Sequence, residues 1–440
     1  MTSLVAWAVA TMVSFAVQGF NNPVIVTIFP YEGSITFVSV AQDGSTQIVG
    51  ELPADYRLWQ YQTYSADQRH LESPDSIALS PDGQFAAVST SRGEDFMLDV
   101  FRTNGTLHFS IGTETPVLAE WRPDGSGFAF VTNYAAYNGD ADLGVMYLDA
   151  TARQVRQLIP RSRVTLPYDL VWSSSDELSL IAREESGSAL LSVSFDGVVT
   201  ALLELTWNGG PGTFGSICER EWSPNMQVWY VVVGCIGSPE SIVLEELYRV
   251  TPDGTAQRVL TAPEAYRAPD VFQARHNIAG VEIAGDEVYV LLQEWMFVPD
   301  TEVAPTWHIL RMRGESWEEV VSLPSVAGNN DAFSYTHAAT SPNGRYMAVG
   351  RYRYLVDPTI ANALLVVDLM TGDIVRTIDL LAVASFSDAL LWFSDDAFLY
   401  GVNYYGQGYP MMSNFLLVAA MDAQLSGEIV VPLNDPVWLP

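Results

Sequence analysis

Glu120-Trp121-Arg122-Pro123-Asp124-Gly125-Ser126-Gly127-Phe128-Ala129-Phe130-Val131 reads as a short strand, a tight turn and a second, apolar strand. Pro presets φ at the first corner, Asp bonds its own backbone, and Gly accepts positive φ. Apolar runs on both sides make the unit a hairpin. The phrase recurs as Ser80-Pro81-Asp82-Gly83, Ser223-Pro224-Asn225 and Ser341-Pro342-Asn343-Gly344. Weaker copies are Trp172-Ser173-Ser174-Ser175-Asp176 and Trp392-Phe393-Ser394-Asp395-Asp396, and one further hairpin turns through Ala284-Gly285-Asp286. Successive copies lie roughly 40–50 residues apart, the spacing of a repeat with four short strands per unit. The expectation is an all-β propeller of four-stranded antiparallel blades, eight in number, with seven as the alternative.

Later strands in each unit recur too, at residues 96–101, 144–148, 189–195, 246–250, 308–312 and 364–369. Asp-Gly or Thr-Gly turns follow several of them, at Asp196-Gly197, Asp253-Gly254 and Thr371-Gly372, as hairpins prefer. Residues 34–40 and 46–50 supply the third and fourth strands of a first unit. No linker or low-complexity stretch interrupts residues 1–440, so one domain is expected. Residues 1–20 are apolar and uncharged. They read either as first-blade strands, 4–7 and 12–17, or as an atypical signal or anchor lacking the usual basic start.

The chain has 440 residues, a net charge of −31 and a pI of about 4.2, and all 21 of its basic residues are arginine. A polyanion is a poor partner for nucleic acid or anionic lipid, because each phosphate contact needs a cation. No integral membrane domain is expected beyond an N-terminal anchor.

The Ser-Pro-Asp-Gly hairpins, with Trp or an apolar residue before the turn, resemble the TolB-type and WD-repeat-like propellers of bacteria. The resemblance spans about residues 76–431. Its motif is a structural turn and is nearly silent on function. Members of that group act as periplasmic binding scaffolds, surface proteins and gating domains of serine peptidases.

The two rims differ. Turns between the first and second and between the third and fourth strands are tight, whereas the opposite connections are long and aromatic. Long loops on a rigid ring are where binding usually sits. Trp59, Tyr61, Tyr134, Tyr137, Trp295, Phe297, Tyr352, Tyr404, Tyr405 and Tyr409 are the candidate ligand-binding residues. Their flat faces and polar handles suit a protein, peptide or glycan.

Catalytic and metal signals are sparse. There is no Gly-x-Ser-x-Gly elbow, and the five His show no ligand spacing. Asn138, Asp140 and Asp142 alternate like a calcium loop, but the Gly is misplaced and no terminal Glu follows. No cofactor is expected. Glu120, Glu219, Glu221 and Glu282 fall in or beside innermost strands, where paired carboxylates do acid–base work if spaced and shielded. The reading is a non-enzymatic binding or interaction propeller outside the cytoplasm. The alternatives are a propeller enzyme acting on carbohydrate or lactone through hub carboxylates, and a structural part of an envelope complex.

Cys218 and Cys235 are the only cysteines. If Trp222 stands opposite Val231, the two lie opposite each other, within disulfide reach. A disulfide implies an oxidising compartment, periplasmic or extracellular.

Overall fold

The computed structural model describes 32 strands between Val24 and Val431, with the turns inside most hairpins. Residues 1–23, 52–76 and 432–440 lie outside the described residues, as do 133–143, 207–216, 235–244, 262–272, 355–362 and 421–428 among the longer connections.

The described strands are antiparallel and form eight sheets in chain order. The first holds β1 (Val24–Tyr31), β2 (Ser34–Ala41) and β3 (Thr46–Glu51). The second is β4 (Ile77–Leu79) to β7 (Leu107–Thr113), with β5 (Phe85–Arg92) and β6 (Asp95–Arg102) between. The third runs β8 (Leu118–Trp121), β9 (Gly127–Thr132), β10 (Gly144–Asp149), β11 (Gln154–Ile159). The fourth runs β12 (Pro167–Ser174), β13 (Glu177–Glu184), β14 (Gly187–Ser194), β15 (Val199–Thr206). The fifth runs β16 (Ile217–Ser223), β17 (Val228–Val233), β18 (Glu246–Val250), β19 (Ala256–Thr261).

The sixth begins with two long strands, β20 (Gln273–Ala284) and β21 (Glu287–Val298), and a short β22 (Thr301–Glu302) pairs with β21 off the main path. It ends with β23 (Thr306–Arg313) and β24 (Ser316–Leu323). The seventh is β25 (Ala332–Thr340), β26 (Tyr346–Tyr354), β27 (Ala363–Asp368) and β28 (Ile374–Asp379). The eighth is β29 (Ala384–Ser394), β30 (Ala397–Tyr405), β31 (Met412–Ala420) and β32 (Ile429–Val431).

The turn chemistry works as its residue types dictate. Ser341 N donates to Tyr346 O and Gly344 N to Ser341 O, both at 2.8 Å, while the Asn343 side chain accepts from Arg345 N at 2.9 Å. Gly344 sits at φ 69°, and Gly125 in the equivalent turn at φ 70°, a region that costs glycine little.

First strands of consecutive sheets are neighbours: β4 with β8, β8 with β12, β16 with β20, β20 with β25, and β25 with β29. They surround a common hub, and the sheets radiate from it as propeller blades. Apolar cores fill the gaps between sheets. Trp121 and Phe128 pack with Leu98 and Val100 between the second and third sheets. Trp307 and Leu291 pack with Val349 and Leu365 between the sixth and seventh. A blade is covered on both faces, so its middle strands lose hydrophobic alternation; every residue of β17 and β27 is buried. Trp172 and Trp392, each just before its turn, donate through Nε1 to Glu120 O and Ala339 O of the preceding blade, both at 3.0 Å. At these two positions one side chain fills the gap and bonds across it.

Glycines mark a second contact between blades. Gly197, Gly254 and Gly372 lie in turns between third and fourth strands, at φ 83°, 82° and 77°. A Cβ on each would meet the fourth strand of the preceding sheet: Leu158 O at 2.7 Å, Ala201 O at 3.3 Å and Val320 O at 2.3 Å.

The structure departs from the sequence reading in three places. A strand, β1, precedes the two expected in the first sheet, while residues 1–20 lie outside the described residues. The hairpin of the fifth sheet is tighter than read. Ser223 pairs with Val228, so Trp222 faces Trp229 rather than Val231, and the ladder breaks register between Ile217 and Glu219. Cys218 is therefore the bulged residue of that ladder. Innermost strands break register at the corresponding place in four other sheets, around Asp169, Ala279, His337 and residues 387–389. A bulge adds local twist, which suits strands crowding one axis. Third, several connections read as loops are strands: β20 starts at Gln273, β21 continues to Val298, β26 to Tyr354 and β30 to Tyr405.

Candidate functional site

Two regions can carry chemistry: the rim of long connections and the hub. At the rim, Trp295 and Phe297 stand near the end of β21, in register with Arg275 and Gln273 of β20. Tyr352 of β26 pairs with Ser334. Tyr404 and Tyr405 end β30, opposite Ser413 and Met412 of β31. Five candidate binding positions thus sit at strand ends on the sixth, seventh and eighth sheets, all where a second strand leaves its sheet toward the same rim. Trp59, Tyr61, Tyr134, Tyr137 and Tyr409 lie outside the described residues, as do Asn138, Asp140 and Asp142 of the calcium candidate. Among the described residues no group of three His, Cys, Asp or Glu is arranged to hold a metal ion, and no helix is long and apolar enough to cross a membrane.

In the hub, the innermost strands of neighbouring blades are tied by carboxylates. Glu219 on β16 accepts the Val281 N–H of β20 at 3.2 Å. Glu282 on β20 accepts the Thr340 N–H of β25 at 3.3 Å. Glu245, buried just ahead of β18, accepts the Ile278 N–H of β20. Each acid satisfies a backbone donor that the next blade's own ladder leaves over. Sequence reading picked out Glu120, Glu219, Glu221 and Glu282 as innermost-strand residues. It missed Glu245, which precedes a third strand and reaches the sixth sheet only through the fold.

Glu282 is the unusual member. Its surface is only partly accessible, whereas Glu221 is exposed. Burial, then the charges of Glu221 and Glu219, push its pKa well above the usual carboxylate range; the Thr340 amide opposes them more weakly. Glu282 thus keeps its proton more readily than an ordinary carboxylate, beside two further acids, and a raised pKa is one requirement of a general acid.

This shift has a stability signature. Below about pH 4.5, the ordinary value, Glu282 is protonated in both folded and unfolded chains. As pH rises the unfolded chain releases the proton more readily, so stability falls until pH has passed the folded-state pKa. Glu282→Gln keeps an acceptor for Thr340 and removes the proton. Its melting temperature will lie nearest to wild type at about pH 4 and gain on it as pH rises, levelling off above the folded-state pKa; thermal melts at a series of rising pH values check this. A constant offset at every pH would contradict the assignment.

Solved structures with similar folds were found. The Kuenenia stuttgartiensis hydrazine synthase chain is 13% identical, with a TM-score of 0.50, 82% of this chain covered and 100% of that one. The β-propeller domain of the Trilobed protease from Pyrococcus furiosus is 10% identical, with a TM-score of 0.44, covering 79% and 97%. A prolyl endopeptidase is 12% identical with a TM-score of 0.48; 90% of this chain is covered, and the chain spans about half (54%) of that protein's length. No family model and no curated protein matches the chain. At these identities the likeness concerns the fold, an all-β propeller.

Proposed function

We propose that the chain is a non-enzymatic binding propeller of the TolB-like bacterial kind, working outside the cytoplasm and holding a protein, peptide or glycan on its loop-rich rim. The observation that carries this reading is the asymmetry of the rims. One rim is made of tight turns such as Ser341–Tyr346 and Asp368–Asp373, closed by backbone bonds. The other carries the long connections and the strand ends at Trp295, Phe297, Tyr352, Tyr404 and Tyr405. A rigid scaffold that gathers aromatic residues at strand ends on one rim suits recognition. The disulfide at Cys218 supports an oxidising compartment.

The test is a glycan and peptide array probed with wild type, then with Trp295→Ala, Tyr404→Ala and Tyr405→Ala. A true ligand should lose about tenfold or more in affinity with at least one variant, because aromatic anchors dominate such interfaces. A ligand bound equally by all three would place recognition elsewhere.

Glu282 favours a second reading, an enzyme acting on carbohydrate or lactone through the hub acids. Turnover abolished by Glu282→Gln, in a protein whose fold is kept, would select that reading over the first.

A further inference from the structure

Among the described residues the exposed large apolar side chains are Leu107, Val155, Val198, Met370, Ile374 and Val375. Each lies in a turn between third and fourth strands or within the first two residues of the fourth strand. Leu107, Val155 and Val198 fall on the consecutive second, third and fourth sheets. The outer corner of the tight-turn rim is therefore apolar along that arc.

The same corner is positive, in a chain of net charge −31. Six arginines are exposed among the described residues. Arg258, Arg313 and Arg345 pair with Glu246, Glu287 and Asp368. Arg102, Arg153 and Arg156, on the second and third sheets, form no ion pair among the described residues and rest on neutral groups instead. The Arg102 guanidinium lies 5.3 Å from the centre of the Phe85 ring, which stands 5.1 Å from His108. His108 donates through Nε2 to Ala150 O at 3.0 Å, so its Nδ1 accepts from Arg153 Nη2 at 3.4 Å. Arg156 lies 3.7 Å from the centre of the Phe195 ring and donates to Phe195 O at 2.8 Å. Asp149, in the turn that carries Arg153, accepts the Ala152 N–H at 2.7 Å.

Arg153 itself is held at φ 55°. Glycines 105, 197, 254, 314 and 372 occupy the left-handed place in the corresponding turns of the second, fourth, fifth, sixth and seventh sheets. That backbone suits glycine and strains an L side chain, and strained residues gather at binding sites. Glycine would serve this turn better, so the guanidinium is what arginine adds.

We propose that the outer corner of the second and third sheets, at Arg102, Leu107, His108, Arg153, Val155 and Arg156, docks an acidic segment of another protein. The uncompensated guanidiniums call for carboxylates, and the exposed Leu107 and Val155 call for apolar side chains among them. This surface is separate from the loop-rich rim.

The test measures fluorescence anisotropy of a short labelled peptide of repeated Glu-Leu-Glu added to the full chain. Wild type should bind it, more weakly as salt rises. Arg102→Gln, Arg153→Gly and Arg156→Gln combined should weaken binding about tenfold or more, whereas Arg258→Gln, on the fifth sheet, should leave it unchanged. Arg153→Gly alone should weaken binding while keeping or raising the melting temperature, because it relieves the backbone. Any of five results overturns the proposal: no binding, equal binding of a Gln-Leu-Gln peptide, tighter binding of polygalacturonate through the same arginines, wild-type dimers that the triple variant loses, or a melting temperature lowered by Arg153→Gly.

Discussion

Gly372→Ala will destabilise the fold by about 2–4 kcal/mol, measured by denaturant unfolding. Two costs add. Gly372 sits at φ 77°, where an L side chain loses roughly 1–2 kcal/mol. Its new Cβ would also fall 2.3 Å from Val320 O, a backbone atom of the preceding blade that cannot rotate away. Gly314 separates the two, because it lies at φ 62° in the corresponding turn of the sixth sheet with nothing within 4 Å of its Cβ position. Gly314→Ala should cost only the conformational part. Equal losses for the two variants would show that the glycine turns do not dock blade against blade.

Reduction of the disulfide is the second large effect. Cys218 is disulfide-bonded; Cys235, the only other cysteine, lies outside the described residues. Closing a loop of that length stabilises by about 3 kcal/mol. Wild type should lose that amount in reductant, whereas Cys218→Ser with Cys235→Ser should start lower and show no response to reductant. Cys218 sits at the register shift of an innermost strand, so loss of the bond should loosen the fifth sheet first. Wild-type stability indifferent to reductant would remove both the structural role and the compartment argument.

Much of this fold is written in local chemistry. A Ser-Pro-Asn-Gly turn needs nothing beyond its own residues, so the hairpin at Ser341 is legible, as is the tryptophan before such turns. Register is less legible, because it depends on how tightly each turn closes: a hairpin two residues tighter at Ser223 moves Trp222 from Val231 to Trp229. β1 was hidden by Pro30 near its end, a residue that argues against a strand, and by the apolar run upstream that drew the strand assignment to itself. The rim aromatics were legible as a cluster but not as strand ends, since nothing in 293–298 tells a continued ladder from a loop. In the hub, Glu219, Glu221 and Glu282 were visible as acids on innermost strands. Their bonds into the next blade and the raised pKa of Glu282 arise between segments far apart in sequence, and only the packing of neighbouring blades brings those together.

The most direct test of the central claim is hydrogen exchange on the protein with and without the strongest array ligand. The account predicts protection concentrated in peptides covering 293–305, 351–362 and 403–413, with the tight turns at 122–127 and 341–346 unchanged. Protection confined to the hub strands around Glu219 and Glu282, with the rim peptides unaltered, would contradict it.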